Sequence, residues 1–186
     1  MECLTINDNL KLLRQVSEDV DFEKDDINSY VELLREYCNT HDCFALALVQ
    51  LGILKRIVYI NSTDPTITQK DENLILINPK IIDKKGKTEF YEACTSCLDN
   101  FALVERPYAI KIEYQDVRGE NKIVEFKGFS STVISHELDH LEGIFHMDRA
   151  KKLMQMLKSE RVEFRKLNPY KVISKTCNFE YGELKD

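Results

Sequence analysis

His136 and His140 lie four residues apart, with Glu137 next to the first, inside an apolar frame. Side chains at i and i+4 stack on one face of a helix, so the two imidazoles can share one metal ion. Glu137 can then reach a water at that ion as general base. The frame is Phe129, Thr132, Val133 and Ile134 upstream, and Leu141, Ile144, Phe145 and Met147 downstream. Such a segment is too apolar for a solvated helix. Buried charge is tolerated only when paired or bound to metal, so the chain must fold around this helix and give its polar groups partners.

Two histidines do not complete a metal site, and the sequence offers three sources for a third ligand. His146 extends the pattern to His136-Glu137-x-x-His140-x-x-Gly143-x-x-His146, the spacing of metzincin proteases. Glu160 and Glu163 lie where thermolysin-like proteases carry a glutamate ligand. An upstream cysteine is the third source.

Composition bounds the classes. The length of 186 residues fits one domain with a sizeable core, and 43% apolar with 31% charged residues is ordinary for a globular chain. A net charge of −6 without a Lys/Arg stripe argues against nucleic-acid binding. Met1–Asn9 lacks the apolar core of a signal peptide, and no run reaches the roughly 18 apolar residues of a membrane span. The expected setting is therefore cytoplasmic, with no membrane partner. The six cysteines (Cys3, Cys38, Cys43, Cys94, Cys97 and Cys177) then read as reduced thiols, available to metal.

Patterning predicts segregated strands and helices, hence an α+β fold with mixed or antiparallel strands around the central metal-binding helix. Helices are expected over Asp8–Glu18 and from Asp25-Asp26 through Cys38, with a polar loop over Asn39–Cys43 and an apolar run over Phe44–Gln50. Strands are expected over Arg56–Asn61 and Leu74–Asn78, the second stopped by Pro79, with a polar loop over Ser62–Glu72 between them. Ile81–Phe90 reads as a strand pair turning near Lys85-Gly86. Phe101–Val104, Tyr108–Tyr114 and Lys122–Phe126 read as half-buried strands, the last two forming a hairpin. Ser130 or Ser131 is expected to cap the histidine helix. Asp148 is expected to cap a last helix with Leu153, Met156, Leu157, Val162 and Phe164 inward. Residues 1–167 form one expected domain, and 168–186 a C-terminal tail.

In this order the features resemble the peptide deformylase family, from Leu10 to about Lys166. That family carries G-h-G-h-A-A-x-Q, E-G-C-L-S and Q-H-E-x-D-H-L-x-G. The third is matched by Ser135-His136-Glu137-Leu138-Asp139-His140-Leu141-Glu142-Gly143, the second by Glu92-Ala93-Cys94-Thr95-Ser96, and the first by Cys43-Phe44-Ala45-Leu46-Ala47-Leu48-Val49-Gln50. Between the two nearby cysteines, Cys94 fits that alignment and Cys97 reads as a packed thiol. A structural zinc site using Cys94-x-x-Cys97 would leave no open position and no task for Glu137.

The resemblance implies that Cys94, His136 and His140 bind one divalent metal, ferrous iron in nature with nickel, cobalt or zinc as substitutes. It implies Glu137 as general base, with Gln50 and the backbone N–H of Thr95 as oxyanion donors. The substrate would be an N-formylmethionyl peptide of a nascent chain, with formate released and the ribosome as a further partner. Phe44, Ala45, Phe129 and Val133 would line the pocket for the methionine side chain, with Phe90 as ordinary core the better reading. Arg106 and Asp139 are expected to form a buried ion pair. His146 stands where the family usually has phenylalanine, which weighs against the metzincin reading.

Three family glycines are replaced, by Cys43, Ala45 and Ala93, and Leu48 replaces a small residue. Each adds bulk near the expected cleft. Alternatives therefore remain: a divergent metallohydrolase, an inactive metal- or peptide-binding relative, and an HExxH metalloprotease.

Overall fold

The computed structural model describes residues 2–41, 43–62 and 73–184. Thr5 and Asp8 start the chain's first helix, α1 (Ile6–Leu13), through a capping box. The expected Asp8–Glu18 helix is thus displaced towards the N-terminus. Its second half leaves the helix because the Ser17 N–H donates to the Leu141 carbonyl and the Glu18 N–H to the Leu54 carbonyl. The second expected helix forms as α2 (Ile27–His41), burying Ile27, Val31, Leu34, Tyr37 and Cys38. It absorbs the start of the expected Asn39–Cys43 loop.

The apolar run after Phe44 becomes strand β1 (Ala45–Ala47) and a 3-10 turn over Leu48–Leu51. Strand β2 (Ile57–Ile60) pairs antiparallel with β1 and with β3 (Leu74–Ala93). The expected Ser62–Glu72 loop lies, past Ser62, outside the described residues.

β3 differs from expectation. Neither Pro79 nor Gly86 ends it; 20 residues run as one bent strand with changing partners. Its first residues pair with β2, the middle with β5 (Ala109–Gln115), and the end with β4 (Asn100–Arg106). Pro79 is accommodated because the ladder slips between Ile77 and Lys80, where no proline N–H is required. At Gly86 the backbone takes φ +70°, and a Cβ would stand 2.5 Å from the Ser174 carbonyl. There glycine bends the strand instead of turning it.

β5 and β6 (Asn121–Lys127) make the expected hairpin. Helix α3 (Phe129–Leu141) follows, capped by Gly128 and not by a serine. Ser130 and Ser131 instead donate to the carbonyls of Lys127 and Pro107. α3 packs against β1 and reaches β2, β4, β5 and β6. Its Ile134, Leu138 and Leu141 join a core with Leu13, Val58, Ile110, Phe126 and Phe145.

The last segment departs most. Ala150–Gln155 forms strand β7, paired with β4, and the helix α4 starts only at Lys158 and ends at Leu167. Asp148 does not cap it, because its carboxylate accepts from Arg14 and from the Phe145 N–H. Leu153, Leu157 and Val162, expected inward, are 52%, 57% and 61% exposed. Strand β8 (Lys171–Asn178) then pairs antiparallel with β3, so that the described residues form an eight-stranded sheet. Antiparallel strands and separate helices make the fold α+β.

Candidate active site

Almost every polar side chain of α3 is buried: Ser130, Ser131, Thr132, Ser135, His136, Glu137, Asp139 and His140. Buried polar groups need partners, so where they find them decides what the helix is for. Asp139 accepts from Arg106 and, through two bonds of 2.7 and 2.8 Å, from Arg149. The expected Arg106–Asp139 pair is thus present, and sequence patterning missed its extension to Arg149. Arg106 is fully buried and also forks onto Glu92, with bonds of 2.8 and 2.9 Å. Glu92 in turn lies 2.8 Å from His136 Nδ1. One chain of charge therefore runs from Arg149 to a histidine edge.

That contact occupies Nδ1 and leaves His136 Nε2 facing Cys94 and His140. Cys94 ends the β3 arm of the site, just before a 3-10 turn over Thr95–Cys97. Its Sγ lies 3.1 Å from His140 Nε2. Ligand atoms of Cys94, His136 and His140 all fall within 4.8 Å of one another. Among the described residues this is the one such group, and His146, Glu160 and Glu163 are not part of it. His146 is buried nearby, its ring 5.6 Å from that of His136, but its Nε2 faces the Asn100 carbonyl. Glu160 caps α4 through the Leu157 N–H, and Glu163 pairs with Lys166. Cys97 is fully buried outside the group.

The donors fit a divalent first-row metal: one thiol and two imidazoles, one of them oriented by a carboxylate. Burial and charge point the same way. A hydrogen bond with Cys97, followed by burial, pushes the Cys94 thiol up to about 11. A cation there reverses this, since a coordinating thiol loses its proton. Glu137 Oε2 is buried with no hydrogen-bond partner among the described residues, and burial raises its carboxyl above the usual range.

Gln50 stands opposite. Its Oε1 accepts from the Ala47 N–H at 3.0 Å, capping the turn, while Nε2 donates to Ser96 Oγ at 3.0 Å and lies 3.7 Å from Cys94 Sγ. The amide is held at both ends and aimed at the site. A cavity of about 300 Å³ opens here, with Gln50, Cys94, His136 and Glu137 at its base. Phe44, Ala45, Thr95, Phe129 and Val133 also line it, as do Phe90, Ala93 and Arg165. Of the residues expected at the site, all but His140 border this one space; His140 lies behind Cys94, its Nε2 3.1 Å from Sγ. Of the replaced glycine positions, 45 and 93 face that cavity; Cys43 is not among its lining residues.

A profile of the polypeptide deformylase family matches residues 2–156. The chain belongs to this family. It is 34% identical to peptide deformylase 2 of Clostridium perfringens over 146 residues, 78% of this chain and 90% of that protein. It is 35% identical to the peptide deformylase of Rhizobium meliloti over 143 residues, 76% of this chain and 81% of that one. Among solved structures, a probable peptide deformylase from Synechococcus phage S-SSM7 superposes with a TM-score of 0.71 at 34% identity, covering 80% of this chain and 99% of that one. An inhibitor complex of the Plasmodium falciparum peptide deformylase gives 0.70 at 27% identity, covering 90% and 95%. As a deformylase the chain is a metal-dependent hydrolase that removes the N-formyl group of nascent peptides. No described helix is long and apolar enough to cross a membrane.

Glu92, Arg149 and Arg165 were the functional neighbours that sequence reading left without a role. Glu92 had a signal, two residues before Cys94. Arg149 had none, although Asp139 is only ten residues away, because a turn and not a regular element brings the two together. Arg165 had none because its partner Tyr91 is 74 residues away.

Proposed function

We propose that Cys94, His136 and His140 hold one divalent metal ion, ferrous iron in the native protein, with nickel, cobalt or zinc able to replace it. Such an ion acts as a Lewis acid and acidifies water. The observation that carries this reading is the convergence of three ligand atoms within 4.8 Å, beside a buried Glu137 oxygen with no hydrogen-bond partner among the described residues.

Glu137 takes the proton of the attacking water and returns it to the leaving amine. Its burial-raised carboxyl suits both tasks. Water adds to the formyl carbon, the carbon–nitrogen bond breaks, and formate and a free amine leave. Charge developing on the formyl oxygen is met by the Gln50 amide and the Thr95 backbone N–H. A backbone donor tolerates threonine where the family has leucine. Phe44, Ala45, Phe129 and Val133 take the methionine side chain, and their apolar character is what recommends them. Residues 1–167 are the catalytic unit in this reading, and 168–186 a tail whose strand β8 pairs with β3. The substrate is an N-formylmethionyl peptide leaving the ribosome in the cytoplasm.

Formate release from formyl-Met-Ala-Ser by anaerobically purified protein, loaded with iron or nickel, tests the reading. Glu137→Gln should lose about 10²–10⁴-fold in rate while binding the same metal. No formate from protein carrying one metal per chain would point to a different acylated amine, for which the side chains of Ala45 and Ala93 in the cavity would be the cause. Protein that takes up no metal would remove the basis of the site.

A further inference from the structure

Arg165, on α4 and beyond the last residue of the family match, borders the active-site cavity on its outer side: its guanidinium lies over Phe90, whose ring meets the exposed Phe129 edge-on. Its place there is built. Nε and Nη2 both donate to the Tyr91 carbonyl, at 3.0 and 2.8 Å, and the guanidinium covers the Phe90 ring at 4.9 Å. Those two bonds leave Nη1 without a protein acceptor among the described residues. Its neighbour Arg161 pairs with Asp99 and donates to two carbonyls, but no described carboxylate pairs with Arg165. Glu92 pulls on Arg165 only at longer range and is already forked by Arg106, so this half-buried cation has no counter-ion in contact and carries a desolvation cost that its packing does not return in charge. In a chain of net charge −6, that is an arrangement with a purpose to explain.

Position supplies the purpose. The reacting end of a formyl peptide is its N-terminus, so it lies at the base, against Glu137 and the ligand group. Whatever reaches the outer wall belongs to the residues after methionine. An arginine with a free N–H edge recognises a carboxylate there, and the apolar rim of Phe44 and Phe129 offers that carboxylate no other cation. We propose that Arg165 is a specificity residue that selects formyl peptides carrying a carboxylate just beyond the methionine, from an acidic second or third residue or from the α-carboxylate of a very short peptide. This inference rests on the deformylase reading of the same cavity.

The test compares kcat/KM for formyl-Met-Asp-Ser-amide, formyl-Met-Ala-Ser-amide, formyl-Met-Lys-Ser-amide and formyl-Met-Ala-Ser with a free carboxylate. Metal-loaded wild type should favour the aspartate peptide over the lysine peptide by about three- to tenfold, the size of a part-exposed charge pair, and less at high salt. The free-carboxylate arm shows whether the terminus serves as well as a side chain. Arg165→Gln should bring the aspartate-to-lysine ratio close to one, and Arg165→Lys should restore part of it. A purely structural arginine would lower all substrates together and leave the ratio unchanged, which would overturn the proposal. So would a wild type that ignores charge. Calorimetric binding of the products Met-Asp-Ser-amide and Met-Lys-Ser-amide reads the same preference without turnover. An enzyme that cleaves no formyl peptide yet keeps that preference, lost in Arg165→Gln, would contradict the function and uphold the role of Arg165.

Discussion

His136 Nδ1 and Glu92 Oε2 meet at 2.8 Å although 44 residues separate them in the chain. The contact fixes which imidazole nitrogen is left for metal, because a ring nitrogen already hydrogen-bonded to a carboxylate cannot also be a ligand. Glu92→Gln keeps the shape and removes the charge. We expect its affinity for zinc or nickel to drop about 10–100-fold, read by competition with a chromophoric chelator. An unchanged affinity would mean that the imidazole is oriented by packing alone.

Arg106 joins the same array to the sheet. It is fully buried between Glu92 and Asp139, and although burial opposes its charge, those two carboxylates raise its pKa well above the ordinary arginine value. Arg106→Met would strand Glu92 without its main partner while Asp139 keeps Arg149. Breaking one side of a buried pair costs about 3–5 kcal/mol, so urea unfolding should show a loss of that order. A loss under about 1 kcal/mol would mean that the array behaves like exposed ion pairs.

These two contacts also show what the sequence could and could not disclose. The i,i+4 histidines, Glu137 and the Glu92-x-Cys94 spacing are local, and local spacing survives in a linear reading. So does the Arg106–Asp139 pair, since two charges in apolar surroundings need each other. The β3 strand was misread because Pro79 and Gly86 ordinarily interrupt strands, whereas here each sits where the ladder slips or another strand presses close. Ala150–Gln155 was misread because its apolar positions suit either period. Pairing with β4, a contact about 50 residues away in sequence, made it a strand. Arg165 was invisible for the same reason: only the packed fold brings α4 to the cavity.

Asp148 gives a pH signature away from the Cys94–His136–His140 group. Burial works against its ionisation, but Arg14 and the Phe145 N–H outweigh this and hold the carboxyl below its ordinary range. A depressed folded-state pKa contributes stability that is fully present above the unfolded value, about 4. That contribution fades as pH falls through the lower folded value. Asp148→Asn should therefore melt below the wild type at pH 6–7, and the gap should narrow steadily as pH falls below about 4. A gap independent of pH would show that the side chain acts through shape and not through charge.

Gly143 closes the turn after α3 with φ +68°, and a Cβ there would stand 2.3 Å from the Arg14 carbonyl oxygen. Arg14 also donates to the Gly143 carbonyl at 3.1 Å, so this crossing ties the N-terminal segment to the end of the histidine helix. Gly143→Ala combines a left-handed backbone, worth about 1–2 kcal/mol, with a backbone collision that no rotamer change relieves. The melting temperature should fall by more than the dihedral cost alone would produce. Gly182→Ala, where an added Cβ meets nothing within 4 Å, is the matched control and should change it little. Equal effects at the two positions would show that the Arg14 segment yields freely and does not anchor the helix.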